Sequence, residues 1–154
     1  MDDIFFSGTF SGESLSIAAA LATLEKLEAT DAPAVLARLG KKISSNMSSL
    51  LLELGLNNVI TMTESDWWPR MTISRHERAS QLEVTSLLRQ EFLAHGLLLT
   101  GGFNLSMVHS DASMFEETMR AIRSSLDIFN DHLSTVNPVA NLRGKQIQPV
   151  FQVR

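Results

Sequence analysis

Six apolar residues at steps of three and four, Leu36, Leu39, Ile43, Met47, Leu50 and Leu54, run without interruption to Gly55. That spacing puts all six on one face of a single helix, and such a face has to be covered by another apolar surface. Gly55 suits a left-handed C-cap, and Leu56 can fold back over the last turn. Asp31 can cap the start, and Pro33 is tolerated in a first turn. Two more stripes follow. Val84, Leu87, Leu88 and Phe92 form one, stopped by Gly96; Phe115, Met119, Ile122, Leu126, Phe129 and Leu133 form the other. Ser113 and Glu116 have capping-box spacing at the head of the last helix. Upstream, residues 14–28 are rich in alanine and leucine and predict another helix, with Ser11 as N-cap and Glu13 in its first turn. Ala18, Ala19, Ala20 and Ala22 suit close packing against a neighbour.

Residues 59–64 and 71–75 alternate well enough to predict strands, with Pro69 at an edge or loop between them. Leu97 to Thr100 reads as a buried strand and Phe103 to His109 as a further one. The fold class is therefore α+β, a small and largely antiparallel sheet with helices on one face. Asp3 to Ser7 is a short apolar run ending in a turn. Ser134 to Gln148 is the one linker-like stretch, followed by a late apolar end at Val150, Phe151 and Val153.

A length of 154 residues suits one domain. With no cysteine, disulfides, thiolate zinc sites and cysteine nucleophiles are excluded. The 13 basic and 17 acidic side chains are interspersed, which argues against a nucleic-acid surface. No apolar run is long enough for a membrane span, and the opening Met1-Asp2-Asp3 is acidic, so the expected setting is cytoplasmic. The mean hydropathy of +0.06 is high for so small a domain and hints at apolar surface meant for a partner.

Candidate sites are few. His76, His95, His109 and His132 are far apart and show no ligand spacing. His109-Ser110-Asp111 names the residues of a hydrolase triad, but adjacency is not the geometry a triad needs; Ser110 and Asp111 read as the entry to the last helix. Trp67-Trp68 reads as a hydrophobic plug or interface before it reads as a ligand platform. Lys41 and Lys42 read as a solvated helix face. The loop Ser7-Gly8-Thr9-Phe10-Ser11-Gly12 carries chemistry. Its glycines allow close approach, Thr9 and Ser11 offer hydroxyls, and a helix N-terminus with free N–H groups follows. That combination can hold a phosphate, although on spacing alone it reads first as a turn plus an N-cap.

At this loop the chain resembles a known family. Phe5-Phe6-Ser7-Gly8-Thr9-Phe10-Ser11-Gly12-Glu13-Ser14-Leu15, followed by Ala18-Ala19-Ala20, is similar to a segment of class-III pyridoxal-phosphate (PLP) aminotransferases, nearest to the glutamate-1-semialdehyde aminomutase branch. Gly96-Leu97-Leu98-Leu99, then Ser106-Met107-Val108-His109-Ser110-Asp111, then Arg143-Gly144 through Pro149-Val150-Phe151, resemble later motifs in the same order. The resemblance implies the small C-terminal domain of a fold-type-I transferase. Residues 1–30 would be the cofactor-phosphate loop and link helix, and 31–154 the small domain.

In the family a glycine–threonine pair, matched by Gly8 and Thr9, binds the PLP phosphate across a homodimer interface. The parent would be an amino-group transferase or aminomutase acting on a small amino-acid, semialdehyde or amino-sugar substrate. The lysine that binds PLP precedes this loop in the family, and none of Lys26, Lys41, Lys42 and Lys145 matches it. The resemblance therefore implies that this chain lacks the large PLP domain and that by itself it is inactive and binds no PLP. The alternative is a non-catalytic dimerisation or interaction module of the same ancestry.

Overall fold

The computed structural model describes residues 8, 9, 12–63 and 65–148. The chain divides into two compact units, Met1–Val35 and Leu36–Arg154. In the first, α1 spans Ser14–Ala29. Its N-cap is Glu13 itself, not Ser11, which lies outside the described residues along with the Asp3–Ser7 run. The Glu13 carboxylate accepts from the N–H groups of Leu15 at 3.0 Å and Ser16 at 2.5 Å. A carboxylate at this position also complements the helix dipole. After Thr30 the chain breaks at Asp31, whose φ of 47° lies in the left-handed region. The Asp31 carbonyl then accepts from Val35 N–H at 3.1 Å as α2, Ala32–Glu53, begins.

The second unit is organised by the three stripes. Met47 of α2, Val84 and Leu87 of α3 (Gln81–Ala94), and Ile122, Leu126 and Phe129 of α4 (Ala112–Ser134) are all fully buried in one cluster. Each such side chain contributes about 1.5–3 kcal/mol of burial energy. α2 ends as its sequence predicts. Gly55 takes a φ of 70°, Leu56 N–H returns to the Leu51 carbonyl at 2.8 Å, and Leu56 is buried. α3 opens on a capping box that the sequence reading missed, with Ser80 and Glu83 exchanging bonds at 2.7 and 3.4 Å. At α4 the expected Ser113–Glu116 box is replaced by Asp111, whose carboxylate accepts from Ser113 and Met114 N–H at 2.9 and 3.1 Å. The Asp111 side chain reaches those donors from one residue ahead of the helix, so Ser113 falls inside it.

The sheet is smaller than expected. β1 (Ile60–Met62) pairs antiparallel with β2 (Met71–Ile73), matching Ile60 with Ile73 and Met62 with Met71. Those four side chains face the core, while Thr61 and Thr72 are exposed on the other face. Glu64, expected at the end of the first strand, lies outside the described residues. The Ile60 N–H, on the far side from β2, donates to the Leu56 carbonyl at 2.9 Å. On the other side of β2, Met71 N–H donates to Gly101 and Phe103 N–H donates to Pro69, at 2.7 and 2.9 Å. Among the described residues these two bonds are the only backbone pairing that residues 97–109 give the sheet.

Leu97 to Thr100 is not a strand. Leu97 is spent on the C-terminal turn of α3, its N–H returning to Phe92 at 2.8 Å, and Leu98 is 83% exposed. Phe103 to His109 is not a strand either, because the chain leaves the ladder for a 3-10 turn at Met107–Ser110. The stretch expected as a linker is also ordered differently. It begins with a 3-10 turn at Pro138–Asn141 and is then held to α3 by side chains described below. Val150, Phe151 and Val153 lie outside the described residues.

Two glycines set the loop between the strands. A Cβ on Gly40, in α2, would lie 1.8 Å from the Asp66 carbonyl oxygen, so the loop backbone rests directly on the helix there. A Cβ on Gly102 would lie 2.8 Å from Trp68 Nε1. Trp68 is fixed further by its indole N–H on Asn104 Oδ1 at 3.1 Å and by the Arg70 guanidinium 4.7 Å from its ring centre. An exposed helical Gly→Ala change ordinarily gains about 1 kcal/mol. Gly40→Ala is expected instead to lose about 1–2 kcal/mol through overpacking, seen as a fall of roughly 3–8 °C in melting temperature. Gly144→Ala, with no atom within 4 Å of the new methyl, is the control. A Gly40→Ala protein that melts higher than wild type would show that the Asp66 loop does not rest on α2.

Candidate functional site

Gly8 and Thr9 are both exposed, in the turn ahead of α1. The helix end behind them is less open than the sequence suggests. Two N–H groups that an anion would use, those of Leu15 and Ser16, are taken by Glu13. The Ser16 hydroxyl and N–H and the Leu15 N–H hold the Glu13 carboxyl below its usual range, so it is ionised at neutral pH. Any phosphate here must therefore rely on the Thr9 hydroxyl and the local backbone, not on the dipole of α1. Phe10 and Ser11 lie outside the described residues.

Two of the four histidines meet at Glu91, His95 Nδ1 lying 2.8 Å from its carbonyl oxygen and His132 Nε2 3.3 Å from its carboxylate. His109 Nδ1 accepts from the Ser106 N–H at 3.1 Å, and Asp111 is committed to capping α4. Ser110 Oγ donates to the Met107 carbonyl at 2.6 Å, so the run His109-Ser110-Asp111 assembles no triad. Among the described residues no group of three or more His, Asp or Glu side chains is placed to hold a metal. None of the described helices is long and apolar enough to cross a membrane.

One charged cluster was not anticipated. Glu91 of α3 is completely buried. Arg143 Nη2 donates to both of its carboxylate oxygens at 2.8 Å, Gln90 Nε2 to Oε1 at 2.7 Å, and His132 Nε2 lies 3.3 Å from Oε1. Gln90 also accepts from Arg143 N–H at 2.6 Å and donates to the Asn141 carbonyl at 3.1 Å, while Ser86 Oγ accepts from Ile147 N–H at 3.0 Å. Together these bonds strap residues 141–147 onto α3. The signal was present in the sequence, since Glu91 stands at a core-facing position of the stripe that runs through Leu87 and Leu88. Burial pushes the Glu91 carboxyl up, but Gln90, Arg143 and His132 outweigh it and hold the group below its ordinary value. The cluster ties down a chain segment, and Ser86, Gln90 and Arg143 also line a cleft of about 710 Å³ between α3 and that segment; among the described residues no second carboxylate joins Glu91.

No protein-family model matches the chain, and no curated protein or solved structure is significantly similar to it.

A depressed folded-state value means that Glu91 stabilises the fold above the carboxylate range and that this contribution is lost as pH falls through it. Arg143→Met leaves the buried carboxylate with Gln90 and His132 alone. Arg143 is itself 61% exposed, so the loss should be about 2 kcal/mol at pH 7, below the usual cost of breaking a fully buried pair. In the variant Glu91 protonates more readily, so the gap from wild type should shrink toward pH 4. Urea unfolding at both pH values measures it, and an equal gap at both would count against an ionised Glu91.

Proposed function

We propose that the chain is the C-terminal part of a PLP-dependent aminotransferase or aminomutase of class III, comprising its phosphate-contacting loop, link helix and small domain. The observation that carries this reading is the exposed Gly8-Thr9 step at the head of α1, at the start of an ordered run of family-like motifs. The α+β second unit, with its short antiparallel ladder packed on three helices, is compatible with such a small domain.

The residues present fit one part of the cofactor. Gly8 permits close approach and Thr9 presents a hydroxyl and an N–H, enough for one phosphate contact. The Glu13 carboxylate four residues on is the feature that fits least, because it closes the end of α1. When bound, PLP supplies the electron sink for amino-group transfer. The chain's own share is to position the phosphate; proton transfer and covalent attachment fall to the large domain, which carries the family's lysine.

With PLP and an amino donor the chain alone is expected to show no turnover and no borohydride-trapped adduct at a single lysine. Joined to its lysine-bearing large domain it should be active. Thr9→Val in that form should weaken PLP binding roughly 10- to 100-fold, the value of one hydrogen bond to a charged acceptor, at unchanged melting temperature. Turnover by the isolated chain, or unchanged PLP affinity with a lowered melting point, would remove the reading of Thr9 as a phosphate ligand.

One observation favours the second reading, an interaction module of the same ancestry. α1 buries none of its residues, and Leu15, Ile17, Leu21 and Leu24 are each about half exposed or more. With alanines filling much of the remaining surface, the helix is apolar around most of its circumference, the character of a helix meant to be covered. Both readings predict self-association of the isolated chain, weakened by Leu21→Glu with Leu24→Glu. Sedimentation velocity across a concentration series checks it, and a strictly monomeric wild type would contradict it.

A further inference from the structure

The double tryptophan divides its labour. Trp68 is locked by Gly102, Asn104 and Arg70, whereas Trp67 is 62% exposed and borders a cleft of about 730 Å³ between α2 and the loop that joins the strands. The opposite wall is one face of α2, carrying Lys41, Ser44, Ser45 and Ser48 at steps of three and four. The contact at Gly40 presses the loop backbone onto the helix one residue before Lys41, and so fixes the distance between the walls.

The hydroxyls here differ from several on the other helices. Thr23, Thr85, Ser86, Thr118, Ser125 and Ser134 each donate their hydroxyl to the carbonyl one turn back in their own helix. Ser44, Ser45 and Ser48 make no such bond among the described residues, and Ser44 Oγ is shielded from solvent with no partner among them. Unspent hydroxyls can both donate and accept. Lys41 and Asp66 stand at the same cleft with opposite charges, and neither joins an ion pair among the described residues. Among the described residues these two charges offset each other, which favours a neutral ligand over a simple ion.

We propose that this cleft is a weak binding site for a neutral pyranose ring, stacked on Trp67. The electron-rich face of the indole attracts the partly positive C–H groups on one side of such a ring. The ring's hydroxyls then meet the exposed Ser45 and Ser48, with Asp66 accepting and Lys41 donating. A few placed polar groups around an aromatic platform, in a cleft of this size, is the usual makeup of a small-molecule site. Nothing in this assignment depends on the PLP reading.

The two indole N–H signals of the full chain, assigned with Trp67→Phe and Trp68→Phe, report binding directly by NMR. Titration with methyl β-D-glucopyranoside should move the Trp67 signal saturably, with a dissociation constant of roughly 1–10 mM, and leave Trp68 nearly still. Trp67→Ala should weaken binding by about tenfold or more, as judged by the backbone signals of residues 44–48. Ser45→Ala with Ser48→Ala should weaken it by about fivefold at unchanged melting temperature. Cellotriose binding several times more tightly than the monosaccharide would mark a glycan chain as the source, and equal affinities a free sugar; both support the site. No saturable shift up to about 100 mM, or the same response in Trp67→Ala, would overturn it. Clearly tighter binding of glucuronate or glucosamine would overturn the neutral ligand. A concentration-dependent Trp67 shift without sugar, abolished in Trp67→Ala, would assign the face to a protein contact instead.

Discussion

Everything in the second unit hangs on the seam where the stripes of α2, α3 and α4 meet. Met47, Val84, Leu87, Ile122, Leu126 and Phe129 are closed to solvent there, and Ile60 brings the sheet onto the same cluster. Two short strands with three paired residues each cannot sustain a sheet unaided. They persist because their apolar face covers one side of this seam. The caps follow from it as well. Each helix must end where its stripe runs out, and Gly55 with Leu56, then Gly96 with Leu97, turn the chain back at those points.

The helices could be read from the sequence because their signal is local and repeats. An apolar residue every third or fourth position survives any uncertainty about neighbours, so all three stripes emerged with their ends nearly in place. The strands could not be read as well. A leucine triplet such as Leu97–Leu99 looks like a buried strand when taken alone, yet only a partner chain at hydrogen-bonding distance makes a strand. Here Leu97 is spent on a helix terminus and Leu98 points to solvent. The caps were displaced by a residue or two for a related reason. Glu13 and Asp111 reach N–H groups from just ahead of their helices, where Ser11 and Ser113 were the obvious candidates.

The site residues divide in the same way. Gly8 and Thr9 enter from the order of motifs alone; the structure shows only that both are exposed and that Glu13 has taken the neighbouring helix end. Glu91 could have been found, since a carboxylate at a stripe position needs a partner. That the partner is Arg143, 52 residues on, could not. Nor could the different fates of Trp67 and Trp68, which are decided by glycines far away in the chain. An exposed tryptophan beside a fixed one is a property of tertiary contacts, invisible to composition or spacing.

The far side of β1 has one more consequence. Its outward N–H at Ile60 is already consumed by the Leu56 carbonyl, and only three residues of the strand are paired at all. An edge so short, with a donor already spent, offers little template for another chain's backbone. The far edge of β1 is therefore a poor site for strand recruitment between copies, which disfavours the cross-β route to aggregation there.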